Sequence, residues 1–215
     1  MSSIVVAGDT SGTITIAAPA VAGSGTLTLP VATDTLVGKA TTDTLTNKSI
    51  AATQLTGTIA AAALPAGSVL QVKNSQTGAV ATGTTAIPYD NTIPQITEGT
   101  QFLSLGITPI SATSKLYINI VLNTANSAVT SGVSIALFQD STVNALAASV
   151  AVVVAAGNTN TMSCNYFMTS GTTSSTTFTV RAGSNTGTFT LNGAAGVGLM
   201  GGVCMSSITI TEIAA

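Results

Sequence analysis

Residues that could carry acid–base chemistry are few in this sequence and scattered along it. Its 215 residues include 7 Asp and Glu, 5 Lys and Arg, and no His. A pair of carboxylates can hydrolyse a glycosidic bond, and Asp90 and Glu98 are the nearest such pair in the region predicted to fold. We interpret both as turn or edge contacts. The sequence therefore predicts no catalytic residue and a protein that is not an enzyme.

Nucleophilic catalysis and metal binding lack the partner groups they need. A Ser or Cys nucleophile is usually activated by a neighbouring His, and the sequence has none. Cys164 and Cys204 are the two thiols, and they show no CxxC spacing. A tetrahedral zinc site would thus be short of ligands. We expect no metal, no cofactor, and buried thiols rather than a disulfide.

The stretch from Gly196 to Gly201 matches the GxGxxG spacing of dinucleotide-binding turns. In those turns a helix follows the glycines, whereas a strand pattern follows here. We therefore predict a Gly-rich bend, or a place where the backbones of neighbouring subunits come close.

The charge of the chain excludes a nucleic-acid partner. Only 6% of the residues are charged and the formal net charge is -2, against roughly 25% charged residues in an average soluble domain. Phosphate binding needs clustered Lys and Arg, and the five basic residues are dispersed. A free monomer normally stays soluble through its surface charge. We infer that copies of the chain or a partner cover much of this surface.

Membrane insertion is not predicted either. The longest nearly continuous apolar run, Ala145 to Ala156, is shorter than the roughly 18 residues that span a bilayer. The first residues carry no basic stretch and no long apolar core, so we predict no secretory signal and a protein kept in the cytosol until assembly.

Residues 1–65 are predicted to form an extended N-terminal arm. Thr13–Ile16 and Thr26–Leu29 alternate polar and apolar side chains and are separated by turn residues, which is typical of short strands. The segment has no aromatic residue, so it lacks the large side chains of a self-contained core and must borrow its packing. One or two helical turns are expected after Ile59, ending at Pro65.

A nine-residue echo lies inside this arm. Asp34 and Lys39 recur in the same context as Asp43 and Lys48. Either the echo marks a repeated contact with the assembly, or it arises by chance in a Thr-rich segment. These four residues are the candidate attachment residues.

Residues 66–215 are predicted to form a jelly-roll-like β-sandwich, so the fold class is all-β. Turn signals separate strand patterns at intervals of about ten residues. In Lys115–Asn123, Leu116 and Ile118 alternate with Tyr117 and Asn119. The Ala-rich stretch 144–156 is predicted as a strand because of its valines. The other strands are expected at 69–73, 101–107, 133–139, 162–168, 177–181, 188–191 and 207–213. The eight aromatic residues all lie in this part and are predicted mostly as core: Tyr89, Phe102, Tyr117, Phe138, Tyr166, Phe167, Phe178 and Phe189.

Two groups of segments resemble bacteriophage virion proteins. TLTLP at 26–30, DTLVGK at 34–39 and DTLTNKSI at 43–50 are similar to segments of phage tail-fibre and other virion proteins. GSVLQV at 67–72, IPYDNTIPQ at 87–95 and the run from Ile107 to Leu116 are similar to β-sandwich modules of fibre tips, tailspikes and capsid cement proteins. Together the segments cover about half of the chain.

The resemblance implies a homotrimeric capsid cement, or decoration, protein. Such a protein would bind the major capsid protein on the outer surface of the virion and stabilise the head after assembly in the host cytoplasm. The arm would fasten the sandwich to the shell. The alternative is a short tail fibre or spike tip that binds a host surface glycan, with Tyr89, Tyr117 and Tyr166 as candidate contacts. A third hypothesis, a polysaccharide-degrading spike domain, would need paired carboxylates in a groove.

Overall fold

The computed structural model describes residues 3–7, 10–17, 49, 57 and 59–215. The chain divides into two units, Met1–Thr56 and Gly57–Ala215. The boundary predicted between residues 65 and 66 stays a prediction. Among the described residues, no helix is long and apolar enough to cross a bilayer.

The described part of the first unit is a β-hairpin. Strand β1, Ser3–Ala7, pairs antiparallel with β2, Thr13–Ala17. The strand predicted at Thr13–Ile16 is thus confirmed, whereas Thr26–Leu29 lies outside the described residues. Ile4, Val5 and Val6 are consecutive and each is more than half exposed. Because successive side chains of a strand point to opposite sides, both faces of this hairpin present apolar groups.

The second unit is built almost entirely of strands. They are β3 Val69–Thr77, β4 Ala81–Gly83, β5 Thr100–Ile107, β6 Lys115–Asn126, β7 Ser131–Gln139, β8 Ala147–Val153, β9 Thr159–Thr169, β10 Thr176–Ser184, β11 Phe189–Leu191, β12 Gly193–Ala194, β13 Val197–Gly198 and β14 Ser206–Ile213. Each predicted strand is present within a few residues of its expected bounds, including β8. The predicted helix before Pro65 is a single 3-10 turn at Ala61–Ala63, and a second 3-10 turn spans Met200–Gly202.

Two antiparallel sheets form the sandwich. The first has the strand order β5-β10-β7-β8. In the second, β14 lies between β3 and β6, β9 pairs along the other edge of β6, and β11 and β4 extend the sheet beside the end of β6. The chain passes from β5 to β6 and from β6 to β7 by changing sheets, as in jelly rolls. The prediction of an all-β sandwich is confirmed.

The core lies between the two sheets and follows the predicted alternation. Leu116, Ile118, Ile120 and Leu122 of β6 are at most 1% exposed, whereas Tyr117 points to the opposite face. The other inward side chains come from neighbouring strands of both sheets: Leu103, Ile107, Val133, Ile135, Leu137, Met162, Phe178, Val180, Phe189, Leu191, Ile208 and Ile210. Phe102 packs against Phe189 with ring centroids 4.9 Å apart.

A second, smaller core lies on the outer side of the first sheet. The segment 84–99 crosses this face and buries Ile87 against Ala136 and Phe138 of β7. The guanidinium of Arg181 fixes the segment, since Nε donates to the carbonyl of Glu98 at 2.8 Å and Nη2 to that of Gly99 at 2.7 Å. β7 is consequently buried on both of its faces.

The prediction that the aromatic residues are mostly core residues is confirmed, and Phe102 and Tyr166 also pack against the main core. Phe138, Phe178 and Phe189 are fully buried. Tyr89, Tyr117 and Phe167 are 57%, 38% and 57% exposed.

Candidate interaction surfaces

The outer face of β3, β14, β6 and β9 is covered by no other segment of the second unit that the structure describes, and we call it the bare face. On β6, β9 and β14 its side chains alternate in sequence with residues that point into the sandwich. They are Val72, Asn74, Gln76, Lys115, Tyr117, Asn119, Val121, Ser163, Asn165, Phe167, Ser207, Thr209 and Thr211. None of these residues is acidic, and Lys115 is the one basic residue among them.

One rung of the bare face is apolar and aromatic. The strand register places Thr211 beside both Val72 and Tyr117, and Tyr117 beside Phe167. Val72 is 56% exposed, and the rings of Tyr117 and Phe167 are 38% and 57% exposed. Neighbouring side chains on one face of a sheet contact each other across strands, so these groups form one row in solvent in which the hydroxyls of Thr211 and Tyr117 are the polar groups.

The next rung is polar, and its groups bind one another. Asn74 Nδ2 donates to Thr209 Oγ1 at 2.8 Å, and Asn119 Nδ2 donates to Asn165 Oδ1 at 2.6 Å. Lys115 Nζ similarly donates to Thr169 Oγ1 at 2.7 Å. Polar groups that already have partners lose little when water leaves. Covering these paired groups therefore costs less than covering unpaired ones, and the charged Lys115 ammonium remains the group on this face that is costly to bury.

Glu212 belongs to β14 but points into the sandwich, where its side chain is fully buried. Its carboxylate accepts hydrogen bonds from Ser114 Oγ at 2.6 Å, Gln71 Nε2 at 2.6 Å, and the N–H groups of Ile110 and Ser111 at 2.8 and 3.2 Å. Burial raises the pKa of Glu212, but these hydrogen bonds outweigh it and hold the pKa below its ordinary value. The ionised carboxylate ties three segments together.

The segment from Gly193 to Met205, which we call the apolar loop, connects β11 to β14. It contains no charged residue and no Ser, Thr, Asn or Gln. Three of its large side chains point outward, since Val197 is 68%, Met200 76% and Val203 76% exposed, whereas Leu199 is half-buried. The predicted Gly-rich bend is confirmed, because Gly196 and Gly201 both have positive φ and a strand, not a helix, follows.

Both ends of the apolar loop are anchored by hydrogen bonds from polar side chains. Asn192 is fully buried, and its Nδ2 donates to the carbonyls of Thr77 and Ala79 at 2.8 and 3.0 Å. Its Oδ1 accepts from Ser206 Oγ at 2.6 Å. Asn123 Nδ2 donates to the carbonyl of Met205 at 2.6 Å. The exposed loop thus stands on a fixed base.

A cleft of about 170 Å³ lies between the 84–99 segment and β8. The ring of Tyr89 forms one wall and rests on Gly132, where an added Cβ would lie 2.8 Å from the ring. Ser134 and Val150 also line it. Asp90 Oδ1 accepts hydrogen bonds from the hydroxyl and N–H of Thr92 at 2.6 and 2.8 Å, which lowers the pKa of Asp90.

The two carboxylates considered for catalysis make turn contacts. Asp90 binds Thr92, as above, and Glu98 Oε2 accepts from the N–H of Gln95 at 2.9 Å. Cys164 and Cys204 are free thiols; Cys164 is buried, which raises its pKa, and Cys204 is half-buried. In the described part of the chain, no three His, Cys, Asp or Glu residues are grouped as metal ligands would be.

The predicted attachment residues Asp34, Lys39, Asp43 and Lys48 lie outside the described residues, so their role stays a prediction. The sequence marks Gly196 to Gly201, within the apolar loop, as a bend or a subunit contact, but it does not single out Phe167 or Glu212. The alternation of Tyr117 with Leu116 and Ile118 was a signal for one exposed aromatic residue. No local signal marked Glu212, because its partners lie about 100 or more positions away.

No protein-family model matches the chain, and no curated protein matches it. Among solved structures, its fold is similar to part of dimeric latent PorU from Porphyromonas gingivalis, at 9% identity and a TM-score of 0.36, covering 70% of this chain and 13% of PorU. It is similar to a structure of infectious bursal disease virus Gt strain, at 16% identity and a TM-score of 0.38, covering 69% of this chain and 39% of the viral one. The chain thus spans well under half the length of these two proteins.

A third similar structure is the enzymatically active domain of tailspike protein 4 of bacteriophage CBA120. The identity is 17% and the TM-score is 0.24, and the match covers 56% of this chain and 18% of the tailspike chain. Viral proteins are therefore among the structural neighbours of the sandwich.

Proposed function

We propose that this chain is a non-enzymatic structural protein of a virion that assembles as a homotrimer through its bare face. The bare face is the observation that carries self-association. It exposes Val72, Tyr117 and Phe167 together, Asn74 and Asn119 donate hydrogen bonds to Thr209 and Asn165 within the face, and it lacks acidic groups. Exposed patches of this kind on soluble proteins mark interaction sites. A closed symmetric oligomer would cover the face in every copy.

The finer proposal is a capsid cement protein on the outer shell. It is supported by the resemblance of the arm and the 67–116 region to phage virion proteins, and by the N-terminal hairpin. An isolated two-stranded hairpin is marginally stable in water, and this one exposes Ile4, Val5 and Val6. Docking on the major capsid protein, by strand addition or by its apolar faces, would stabilise it.

Three arms on one trimer would act together. Once one arm binds the shell, the other two are held near their sites at high effective concentration, so weak contacts add to a stable attachment. The head would be stabilised because each trimer links several capsid subunits.

A second candidate, a short tail fibre or spike tip that binds a host surface glycan, is favoured by the Tyr89 cleft. An exposed aromatic ring with a carboxylate and hydroxyl groups beside it is a suitable platform for a sugar ring. The space of about 170 Å³ is below the roughly 300 Å³ at the low end of ordinary ligand pockets, and so fits a single sugar unit.

The test is to count copies of the protein per virion against the major capsid protein, and to measure the mass of the free protein in solution. Hundreds of copies together with a free trimer would support the cement proposal. A handful of copies confined to the tail would overturn it in favour of the fibre. A free monomer would overturn the trimer.

A matched pair of variants tests the surface itself. Phe167→Ser removes the most exposed ring of the bare face and should give a monomer that retains its fold by circular dichroism. Val143→Ser removes a side chain that is equally exposed, 58% against 57%, from the turn after β7, and should leave the trimer intact. Equal behaviour of the two variants would argue against the bare face.

A further inference from the structure

We propose that the apolar loop is a self-docking element, in which the loops of neighbouring copies meet one another at the rotation axis of the assembly. This inference deepens the proposed homotrimer and rests on it. It assigns the occupant of the loop's exposed surface, a second and third copy of the same chain.

The composition of the loop suits contact between identical groups. At a rotation axis each residue lies near its own copies, so a charged residue there would face a like charge. Between Gly193 and Met205 there is no charge to repel. Val197, Met200 and Val203, which are about 70% exposed or more, would be removed from water by the same contact. Met side chains adapt well to irregular apolar surroundings.

The loop is continuous with the bare face. Asn123 and Thr161 end the bare face on β6 and β9, and Thr161 Oγ1 donates to Asn123 Oδ1 at 2.9 Å. Asn123 in turn binds the carbonyl of Met205. On the β3 side the loop touches Gly78 so closely that an added Cβ would lie 1.8 Å from the Gly202 carbonyl oxygen. A copy seated on the bare face would thus reach the loop.

The bare face alone is smaller than a typical stable interface. Four strands with a spacing of about 4.8 Å and nine residues of about 3.3 Å each cover roughly 600 Å². A stable interface usually buries about 800 Å² on each partner. The exposed apolar side chains of the adjoining loop would add to the bare face and bring the buried area closer to that of a stable interface.

A lipid surface fits the loop less well. Loops and helices that bind membranes generally combine apolar residues with Lys or Arg, which attract anionic headgroups. The loop has no Lys and no Arg, and the chain as a whole has a formal net charge of -2. A rigid base also favours docking to a partner of fixed shape, because little freedom is lost on binding.

Cross-linking at the loop tests the contact directly. Val203→Cys in a Cys204→Ser background places one exposed thiol on the loop, while Cys164 is buried. In a trimer, a short bismaleimide should join two of the three loops and convert about two thirds of the chains into covalent dimers. The matched control is Val143→Cys in the same background, which should give no dimers.

A second variant provides an independent measurement. Val203→Asp puts three like charges at the axis and should weaken self-association at least tenfold in sedimentation, whereas Val143→Asp should not. A trimer that neither cross-links at residue 203 nor responds to Val203→Asp would overturn the loop proposal and leave the trimer standing. A monomeric wild-type protein would overturn both. Co-sedimentation of the wild type with phosphatidylcholine vesicles, lost in Val203→Asp, would replace self-docking by lipid binding.

Discussion

The two sheets of the sandwich differ in how their outer faces are covered. The face of β5-β10-β7-β8 carries the 84–99 segment, which buries Ile87 and Phe138 and is fixed by Arg181. The bare face has no such segment among the described residues of its unit, and Phe167 stands 57% exposed on it. Both faces are made by the same alternation of side chains. The first is covered by residues 84–99 of its own unit, and we propose that the second is covered by a partner.

We therefore expect one outer face to contribute to the stability of each subunit and the other to contribute to assembly. Side chains under the 84–99 segment should contribute to the free energy of unfolding of each subunit. Side chains on the bare face should contribute to association and little to the fold. Substitutions on the two faces therefore test whether the division holds.

The largest effect is expected from Phe138→Ala. Phe138 is fully buried in the second core, and truncating a buried Phe typically costs about 3–5 kcal/mol. Chemical denaturation should show this loss, together with increased proteolysis within residues 84–99. A loss below about 1 kcal/mol would mean that the 84–99 segment is not held as described.

Glu212→Gln should have the next largest effect, about 2 kcal/mol, since an amide cannot accept all the hydrogen bonds of the carboxylate. The folded-state pKa of Glu212 is below its ordinary value of 4.5. Its contribution is therefore fully present above that value and is lost as the pH falls through the lowered pKa. Melting temperatures from pH 7 to pH 3 should fall more steeply for the wild type than for Glu212→Gln. Parallel curves would contradict this role.

Arg181→Lys should cost about 1 kcal/mol, because a single ammonium cannot reproduce the two guanidinium hydrogen bonds. Hydrogen exchange should become faster in residues 84–99 and stay unchanged in β6. Unchanged exchange in the segment would show that apolar packing alone holds it. The control is Lys115→Arg on the bare face, which exchanges the same two residue types in the reverse direction. It should leave hydrogen exchange unchanged both in residues 84–99 and in β6.

The smallest effect on the fold is expected from Phe167→Ala. An exposed substitution usually changes the free energy of unfolding by less than about 0.5 kcal/mol. Denaturation of the monomer, measured at low protein concentration, checks this value. A loss as large as that of Phe138→Ala would abolish the distinction between the two faces.

The strands could be predicted from the sequence because their signals are local. β6 and β14 alternate apolar and polar residues, and the valines of β8 outweighed its alanines. The sequence does not specify the hairpin strand β1, and the one or two helical turns expected before Pro65 are a single 3-10 turn at Ala61–Ala63.

The pairing of distant segments could not be predicted in the same way. Which face of the sandwich the 84–99 segment covers depends on contacts between Ile87 and Phe138, which no local pattern encodes. For the same reason the sequence does not separate Phe167 from the aromatic residues of the core. Its alternation with Met162 and Cys164 is clear only once the register with β6 is known.

The position of β14 has a consequence for biosynthesis. It pairs with β3 on one side and β6 on the other, yet it is synthesised after both. Until residues 206–213 leave the ribosome, the second sheet has a gap about 10 Å wide, two strand spacings across. Nascent chains must keep this gap open during translation, and in a crowded polysome it could accept the β14 of a neighbouring chain.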